Sequence, residues 1–327
     1  MTFRALLIPF LVVFLSGCVT GPGGRHGVFL SGSDELAQPK PVYGGELSAF
    51  RTDAKQVIEP VQGAILILFV PEYVYQISES KPEPYCNAQT GLPSLDKLPD
   101  VLGTLVAENR EYVLYYFCTG IKYSITEAHR ARNVIRPPTW ISLQFAEEIA
   151  SRLEMFVDLG VDRKRIIIAG VNNGATSAIL ATSQLDEPNA GFIALSPALW
   201  LRDYKGFNAY SGELSLHAHT FQRQEEFYWK WRERIDENRS VRGIVFLNPD
   251  DEVSESFRFN FFNSIHGIVR VVASPKGCTE LTPSVYYTSG ICFKRRYARY
   301  LGDVINFLVE NPDSLPSAHL LPPPNFD

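Results

Sequence analysis

The sequence predicts a single α/β domain built on a doubly wound, mostly parallel sheet. Short apolar runs bounded by glycine or proline alternate with longer segments in which apolar residues recur every three or four positions. Most of these runs are apolar at successive positions, which is typical of parallel strands buried on both faces. The chain has 327 residues, of which 45% are hydrophobic and 20% charged, so it can form one large core. We find no internal repeats.

The strands are predicted from the apolar runs, taken in chain order. The run at residues 64–70 lies between Gly63 and Pro71, which delimit it as a buried strand. Two short segments, residues 28–30 and 43–50, are candidate strands near a sheet edge. The predicted sheet strands are residues 64–70, 111–119, 165–169, 192–195, 243–247 and 267–273.

The helices are predicted from the three-to-four spacing of apolar residues. The clearest is residues 139–159, which follow Pro138, precede Gly160 and place Phe145, Ile149 and Leu153 on one face. A short helix is expected somewhere within residues 95–108. The other predicted helices are residues 175–183, 221–238, 254–265 and 294–310.

The first 17 residues predict a signal peptide, because Arg4 precedes the apolar residues 5–15. The sequence Leu-Ser-Gly-Cys that ends at Cys18 resembles the lipobox of bacterial lipoproteins, which implies a lipidated Cys18 and a membrane partner. An ordinary signal peptide with an incidental cysteine is the alternative. Val19 after the cysteine resembles the pattern sorted to the outer membrane, so we expect a cell-envelope protein facing the periplasm. Residues 18–60 are predicted to be a tether with edge strands, residues 61–311 the domain, and residues 312–327 a proline-rich tail.

Four cysteines besides Cys18 predict two disulfides, because an even number is typical of exported chains. Three pairings are open, and proximity in the sequence favours Cys86 with Cys118 and Cys278 with Cys292. Free buried thiols are the alternative. No C-x-x-C motif or neighbouring histidine pair accompanies them, so we predict no metal site and no cofactor. The formal net charge of −5 shows no excess of basic residues, which argues against nucleic acid as a partner.

The chain is organised around residues 165–180, where an apolar run stops, turns and restarts as a helix rich in small residues. This pattern resembles the G-x-S-x-G nucleophile elbow. From residue 64 to residue 310 the chain resembles the α/β-hydrolase fold, the superfamily of esterases, lipases and serine peptidases. The resemblance implies a nucleophile at the elbow, then an Asp, then a His after the last strand. The five elbow residues are Gly170, Val171, Asn172, Asn173 and Gly174.

Two of the three triad positions depart from this pattern. Asn172 occupies the position of the serine, and a neutral amide cannot be activated to attack a carbonyl as a serine hydroxyl can. Asp251 matches the acid position, although it could instead cap a helix starting near Ser254. Residues 274–293, where the His is expected, contain none. We expect Gly170 and Gly174 to serve the tight turn, with Asn172 either kept for packing or available to a ligand.

Three functions remain open from the sequence. The first is a non-catalytic hydrolase-like module that binds a small molecule or an envelope protein. The second is a hydrolase acting on an envelope ester, peptide or acyl-glycan through a displaced nucleophile, Ser196, with His217 or His219 as the base. The third is a doubly wound binding domain unrelated to hydrolases. His217 and His219 could also form a metal pair, but no third ligand with suitable spacing accompanies them.

Overall fold

The computed structural model describes residues 27–33, 36–43, 63–71, 102–103, 105–106, 111–117, 138–197, 229–233, 235–238, 240–247, 261–262, 265–272 and 291–314. Several residues singled out from the sequence lie outside these ranges. They are Cys18, Cys86, Cys118, His217, His219, Asp251 and Cys278, and the side chain of Cys292 is likewise not described. The predicted disulfides, lipid anchor and acid position therefore stay predictions.

Eight strands are present in the described part of the chain. The first two, near the N-terminus, are β1 (Gly27–Ser33) and β2 (Leu36–Tyr43). The remaining six match the strands predicted from the apolar runs to within two residues at each end. They are β3 (Ile65–Val70), β4 (Tyr112–Phe117), β5 (Ile166–Val171), β6 (Gly191–Leu195), β7 (Gly243–Leu247) and β8 (Ile268–Val272).

The strands form one sheet in the order β2-β1-β4-β3-β5-β6-β7-β8. Every neighbouring pair from β4 to β8 is parallel, whereas β1 runs antiparallel to both β4 and β2. The carboxyl ends of β3, β5, β6 and β7 consequently meet at one edge of the sheet. Ligands of open α/β sheets bind in the crevice outside this edge.

Three long helices flank the sheet, namely α1 (Pro138–Asp158), α2 (Asn173–Gln184) and α3 (Ile291–Glu310). Shorter helical pieces lie at residues 102–103, 105–106, 229–233 and 235–237, within two of the predicted segments. Of the helix predicted at residues 254–265, only Phe261, Phe262 and Ile265 are described, and Phe261 is helical. None of the helices that the structure describes is both long and apolar enough to cross a membrane.

The sheet is covered on both faces, which confirms the predicted doubly wound architecture. Alternate residues of β3 point to opposite faces, as the two-residue period of a strand requires. Leu66, Leu68 and Val70 pack in one core with α1, α2 and Trp231. Ile65, Ile67 and Phe69 pack in the other core with residues 102–106 and α3. Each face thus has its own apolar core, and strands β3 to β7 between them are buried.

The edge strand β2, Leu36–Tyr43, was not predicted from the sequence. The candidate strand at residues 43–50 stays a prediction, because residues 44–50 lie outside the described ranges. Pro39 and Pro41 weaken the strand pattern in the sequence. Proline lacks a backbone N–H but is tolerated on an edge strand, and β2 pairs with β1 alone.

Candidate functional site

The chain passes from β5 to α2 through a single residue, Asn172. Its backbone N–H donates to the Leu195 carbonyl at 2.9 Å, which continues the ladder between β5 and β6. Its carbonyl accepts from the Thr176 N–H at 3.2 Å, which is the first hydrogen bond of the helix. The turn is therefore tighter than predicted, since the strand predicted at residues 165–169 and the helix predicted at residues 175–183 leave five residues between them.

Asn172 has a strained backbone conformation, with φ at 54° and ψ at −119°. These angles match the first central position of a type II′ turn, where glycine is preferred because it has no Cβ. A residue with a side chain in such a region costs about 1–3 kcal/mol, and the surrounding structure must hold it there. A sharp, strained strand-to-helix turn is the geometry of the nucleophile elbow. In this chain the residue at the turn, Asn172, has a carboxamide side chain in place of the serine hydroxyl.

Two glycines make this turn sterically feasible. A Cβ built on Gly174 would lie 2.6 Å from the Pro71 carbonyl oxygen and closer still to that of Val70. A Cβ built on Gly170 would lie 2.6 Å from the backbone nitrogen of Ala175 and would clash with the Gly174 carbonyl. Backbone atoms cannot move aside as a flexible side chain can. The start of α2 is thus packed directly against the ends of β3 and β5.

Asn172 is the one partly exposed residue between Ile166 and Thr182. The strand before it and the first ten residues of the helix after it are buried. The turn therefore brings Asn172 to the surface at the carboxyl edge. A primary amide can both donate and accept hydrogen bonds, so this position can contact a polar ligand without being able to attack it.

A second strained residue, Ser196, follows β6 beside Asn172. It has a φ of 46° and is 3% exposed, and its N–H donates to the Phe246 carbonyl at 2.9 Å. Asn172 and Ser196 are the only non-glycine residues with positive φ in the described part of the chain. The sequence places Ser196 at the end of a strand but gives no signal for its conformation.

The other hydroxyl near the turn, on Ser177, serves the helix itself. Ser177 is buried, and its Oγ donates to the Asn173 carbonyl at 3.1 Å. This agrees with its position inside α2, where a serine hydroxyl commonly bonds the carbonyl four residues earlier. Ser177 is therefore no substitute for the serine missing at the elbow.

The described residues supply no base for the turn. His266 is the sole histidine among them, and it precedes β8, at the opposite edge of the sheet from Asn172. It is exposed, and its backbone N–H donates to Asp236 Oδ1 at 3.0 Å. Within the same residues, no group of three or more His, Cys, Asp or Glu could hold a metal ion.

Replacing Asn172 by glycine should raise the free energy of unfolding by about 1 kcal/mol. The relief of positive-φ strain, about 1–3 kcal/mol, exceeds the extra entropy of glycine in the unfolded chain, about 0.5–1 kcal/mol. Urea unfolding of the two full-length proteins measures the difference. A stability loss in Asn172→Gly would show that side-chain contacts outweigh the strain.

Comparison by sequence finds no matching family model and no matching curated protein. Among solved structures, the chain is similar to a puromycin-hydrolyzing peptidase of Mycobacterium tuberculosis, with a TM-score of 0.44 and 13% identity over 76% of this chain and 34% of that one. It is similar to an acylaminoacyl peptidase of Pyrococcus horikoshii, with a TM-score of 0.47 and 13% identity over 80% of this chain and 40% of that one.

A sugar hydrolase from Lactococcus lactis gives a TM-score of 0.44 and 10% identity over 76% of this chain and 91% of that one. The chain spans well under half the length of the two peptidases. Similarities of this size bear on neither activity nor ligand. The sheet order and the turn at Asn172 carry the assignment to an α/β-hydrolase-like fold.

Proposed function

We propose that this protein is a cell-envelope lipoprotein whose α/β-hydrolase-like domain binds a ligand at the Asn172 turn without hydrolysing it. The observation that carries the proposal is the backbone of Asn172, which keeps a strained elbow conformation with φ at 54° while its side chain is an amide. Strain at such positions persists where the surrounding structure enforces it, and it clusters at binding and catalytic sites.

Two features of the sequence argue against serine-type catalysis. Asn172 replaces the nucleophile, and residues 274–293, after the last strand, contain no histidine. Removing the nucleophile or the base alone abolishes most of the catalysis of a Ser-His-Asp triad, because the two act as a unit. Both replacements together favour a binding or scaffolding role for a small molecule or an envelope protein.

The lipid anchor belongs to the same proposal. Cys18 closes the lipobox-like sequence, and residues 18–60 would tether the domain to the membrane, with the domain facing the periplasm. Growth of expressing cells with radiolabelled palmitate tests this. Label should enter the wild-type chain and be lost in Cys18→Ala, whereas an unlabelled wild-type chain would refute the anchor.

A second candidate function is an envelope hydrolase in which Ser196 is the nucleophile and His219 or His217 the base. The observation that favours it is the position of Ser196, a strained residue directly beside the elbow. Strained residues at the ends of adjacent strands are also compatible with a displaced active site on an ester, peptide or acyl-glycan.

Hydrolysis of p-nitrophenyl butyrate by the full-length chain separates the two functions. The binding function predicts turnover no faster than that of the heat-denatured chain. The hydrolase function predicts turnover that falls at least about 100-fold in both Ser196→Ala and His219→Ala, since removing a nucleophile or base costs that much or more. Turnover with this mutational pattern would overturn the non-catalytic proposal.

A further inference from the structure

The start of β1 limits how far the sheet can lie from a membrane anchor at Cys18. Strand β1 begins at Gly27, only nine residues after Cys18. An extended chain spans about 3.3–3.6 Å per residue, so Gly27 lies at most about 30 Å from Cys18. In the antiparallel register of β1 and β4, Gly27 pairs with Phe117, the last residue of β4. The chain therefore enters the sheet at the carboxyl edge, which also carries Asn172.

The first half of helix α3 points toward the same edge. The later part of the helix lies at the amino edge, where Tyr112, the first residue of β4, donates to Asn306 Oδ1 at 2.7 Å. Arg242, which precedes β7, donates there to the Leu308 carbonyl at 2.8 Å. The helix packs along the sheet in one of its two cores. At about 1.5 Å per residue, residues 294–299 lie about 14–21 Å from Leu308, which is close to the length of a five-residue strand.

This first half of α3 carries a basic cluster. Four of its six residues from 294 to 299 are basic and none is acidic, although the whole chain has a net charge of −5. The members of the basic cluster are Lys294, Arg295, Arg296 and Arg299. The first turn of the helix has no acidic residue and the last turn has no basic residue, which is the reverse of the pattern that the helix dipole favours. The basic cluster therefore does not serve the stability of the helix.

Three positions of the basic cluster lie opposite the buried side of α3. The residues that define the buried side are Leu301, Val304, Ile305 and Leu308. At 3.6 residues per turn, positions 295, 296 and 299 are centred about half a turn away from them. Asp303 and Glu310, which are exposed, follow on the same outer side. The outer side of α3 is thus basic toward the carboxyl edge and acidic toward the amino edge.

We propose that Arg295, Arg296 and Arg299 bind the anionic headgroups of a phospholipid membrane, with the carboxyl edge of the sheet turned toward the bilayer. Guanidinium groups pair well with phosphate oxygens, often through two parallel hydrogen bonds. A short tether from Cys18 holds the domain near the surface, so a modest electrostatic contact is enough to orient it. The inference rests on the proposed lipid anchor, and it adds that the Asn172 turn faces the membrane.

Sedimentation with vesicles tests the inference. The full-length Cys18→Ala chain is used as the parent, so that no acyl chain dominates the binding and the signal peptide contributes equally to every variant. Vesicles of phosphatidylcholine are compared with vesicles that contain equal amounts of phosphatidylcholine and phosphatidylglycerol. Each basic residue near an anionic surface strengthens binding about fivefold, so the triple variant Arg295→Gln/Arg296→Gln/Arg299→Gln should bind the anionic vesicles about 100-fold more weakly than the parent. Equal binding of parent and triple variant would overturn the inference.

The triple variant Lys164→Gln/Lys230→Gln/Arg270→Gln is the matched control, because it removes the same charge from exposed positions outside α3. Lys164 lies at the amino edge, directly before β5, and the short helix that contains Lys230 packs on the opposite face of the sheet from α3. This control should bind the anionic vesicles nearly as tightly as the parent. An equal loss in both triple variants would show an effect of net charge alone and would contradict a specific basic face.

Salt dependence tests the same contact without a substitution. Raising the salt concentration from about 0.1 M to about 1 M shortens the Debye length from about 10 Å to about 3 Å. Binding of the parent to anionic vesicles should then fall to its level on neutral vesicles. Tighter binding to the anionic vesicles that persists at high salt would contradict an electrostatic contact with headgroups.

The headgroup contact and the lipid anchor can fail separately. A chain that incorporates palmitate but shows no preference for anionic vesicles would refute the headgroup contact alone. A preference for anionic vesicles in a chain that incorporates no palmitate would refute the anchor and support the contact. Binding of poly-glutamate but not of anionic vesicles, lost in the arginine variant, would assign this face to an acidic protein and overturn the lipid assignment.

Discussion

Gly174→Ala should lower the free energy of unfolding by about 3 kcal/mol, the upper part of the range for overpacking a tight interior. The new Cβ would collide with the carbonyl oxygens of Val70, the last residue of β3, and of Pro71, which follows it. Relief requires α2 to move away from the sheet, and this movement would pull Asn172 out of its strained turn. Urea unfolding of the full-length wild-type and Gly174→Ala chains measures this change in the free energy of unfolding.

Gly302→Ala is the control for this experiment, since it makes the same substitution in another helix. A Cβ at Gly302 would lie 3.4 Å from Leu105 Cδ1, the far end of a flexible side chain. The exchange should raise stability by about 0.5–1 kcal/mol, because alanine is the better helix former. Equal effects of the two substitutions would contradict the close approach of α2 to β3.

Arg242→Met should destabilise the protein by about 3 kcal/mol, because it leaves three backbone carbonyls without their charged hydrogen-bond donor. Arg242 precedes β7 and is 2% exposed. Its guanidinium donates to the carbonyls of Leu308 and Ser314, each at 2.8 Å, and to that of Asn311. These carbonyls lie at and beyond the C-terminal end of α3, where the helix leaves acceptors unsatisfied. Burial lowers the pKa of Arg242 from its ordinary value, and the charge of Asp313 opposes this.

Arg163→Met provides the comparison for an arginine whose partners are exposed carboxylates. The Arg163 side chain is 14% exposed, and it pairs with Glu154 and Glu187, whose side chains are 45% and 77% exposed. Solvent screens such pairs, so the loss should stay within about 1 kcal/mol. Thermal and urea unfolding of both variants test the contrast. A loss at Arg242 no larger than that at Arg163 would show that Arg242 does not hold α3 to the sheet.

Much of the fold could be predicted from the sequence, because the apolar patterns of its segments agree with the strands and helices that form. The run at residues 64–70 predicts β3 to within one residue, since two buried faces require apolar residues at every position. Helix α1 begins at Pro138 and ends at Asp158, one residue from the prediction at each end, because its apolar stripe is long. Where proline disturbs the apolar pattern, as in β2, the sequence analysis missed the strand.

The site was harder to predict from the sequence than the fold, because its defining property is the backbone angle φ of Asn172. The sequence shows that asparagine replaces serine at position 172, but not that φ stays positive there. The contact between Gly174 and the Val70–Pro71 carbonyls, which joins segments about a hundred residues apart, helps to impose that angle. The strain at Ser196 likewise arises where β6 ends against β7, and an isolated Ser-Pro dipeptide does not reveal it.

Labelling with a fluorophosphonate probe tests most directly whether the elbow has lost its chemistry. These probes react with activated serines, and the full-length native chain should remain unlabelled, with the heat-denatured chain as the background. Labelling that disappears on heating and maps by mass spectrometry to Ser196 would contradict the non-catalytic elbow and establish a displaced nucleophile. The account predicts that native and heat-denatured chains show the same background labelling. In that case the turn at Asn172 keeps the backbone geometry of a hydrolase elbow but has no activated serine.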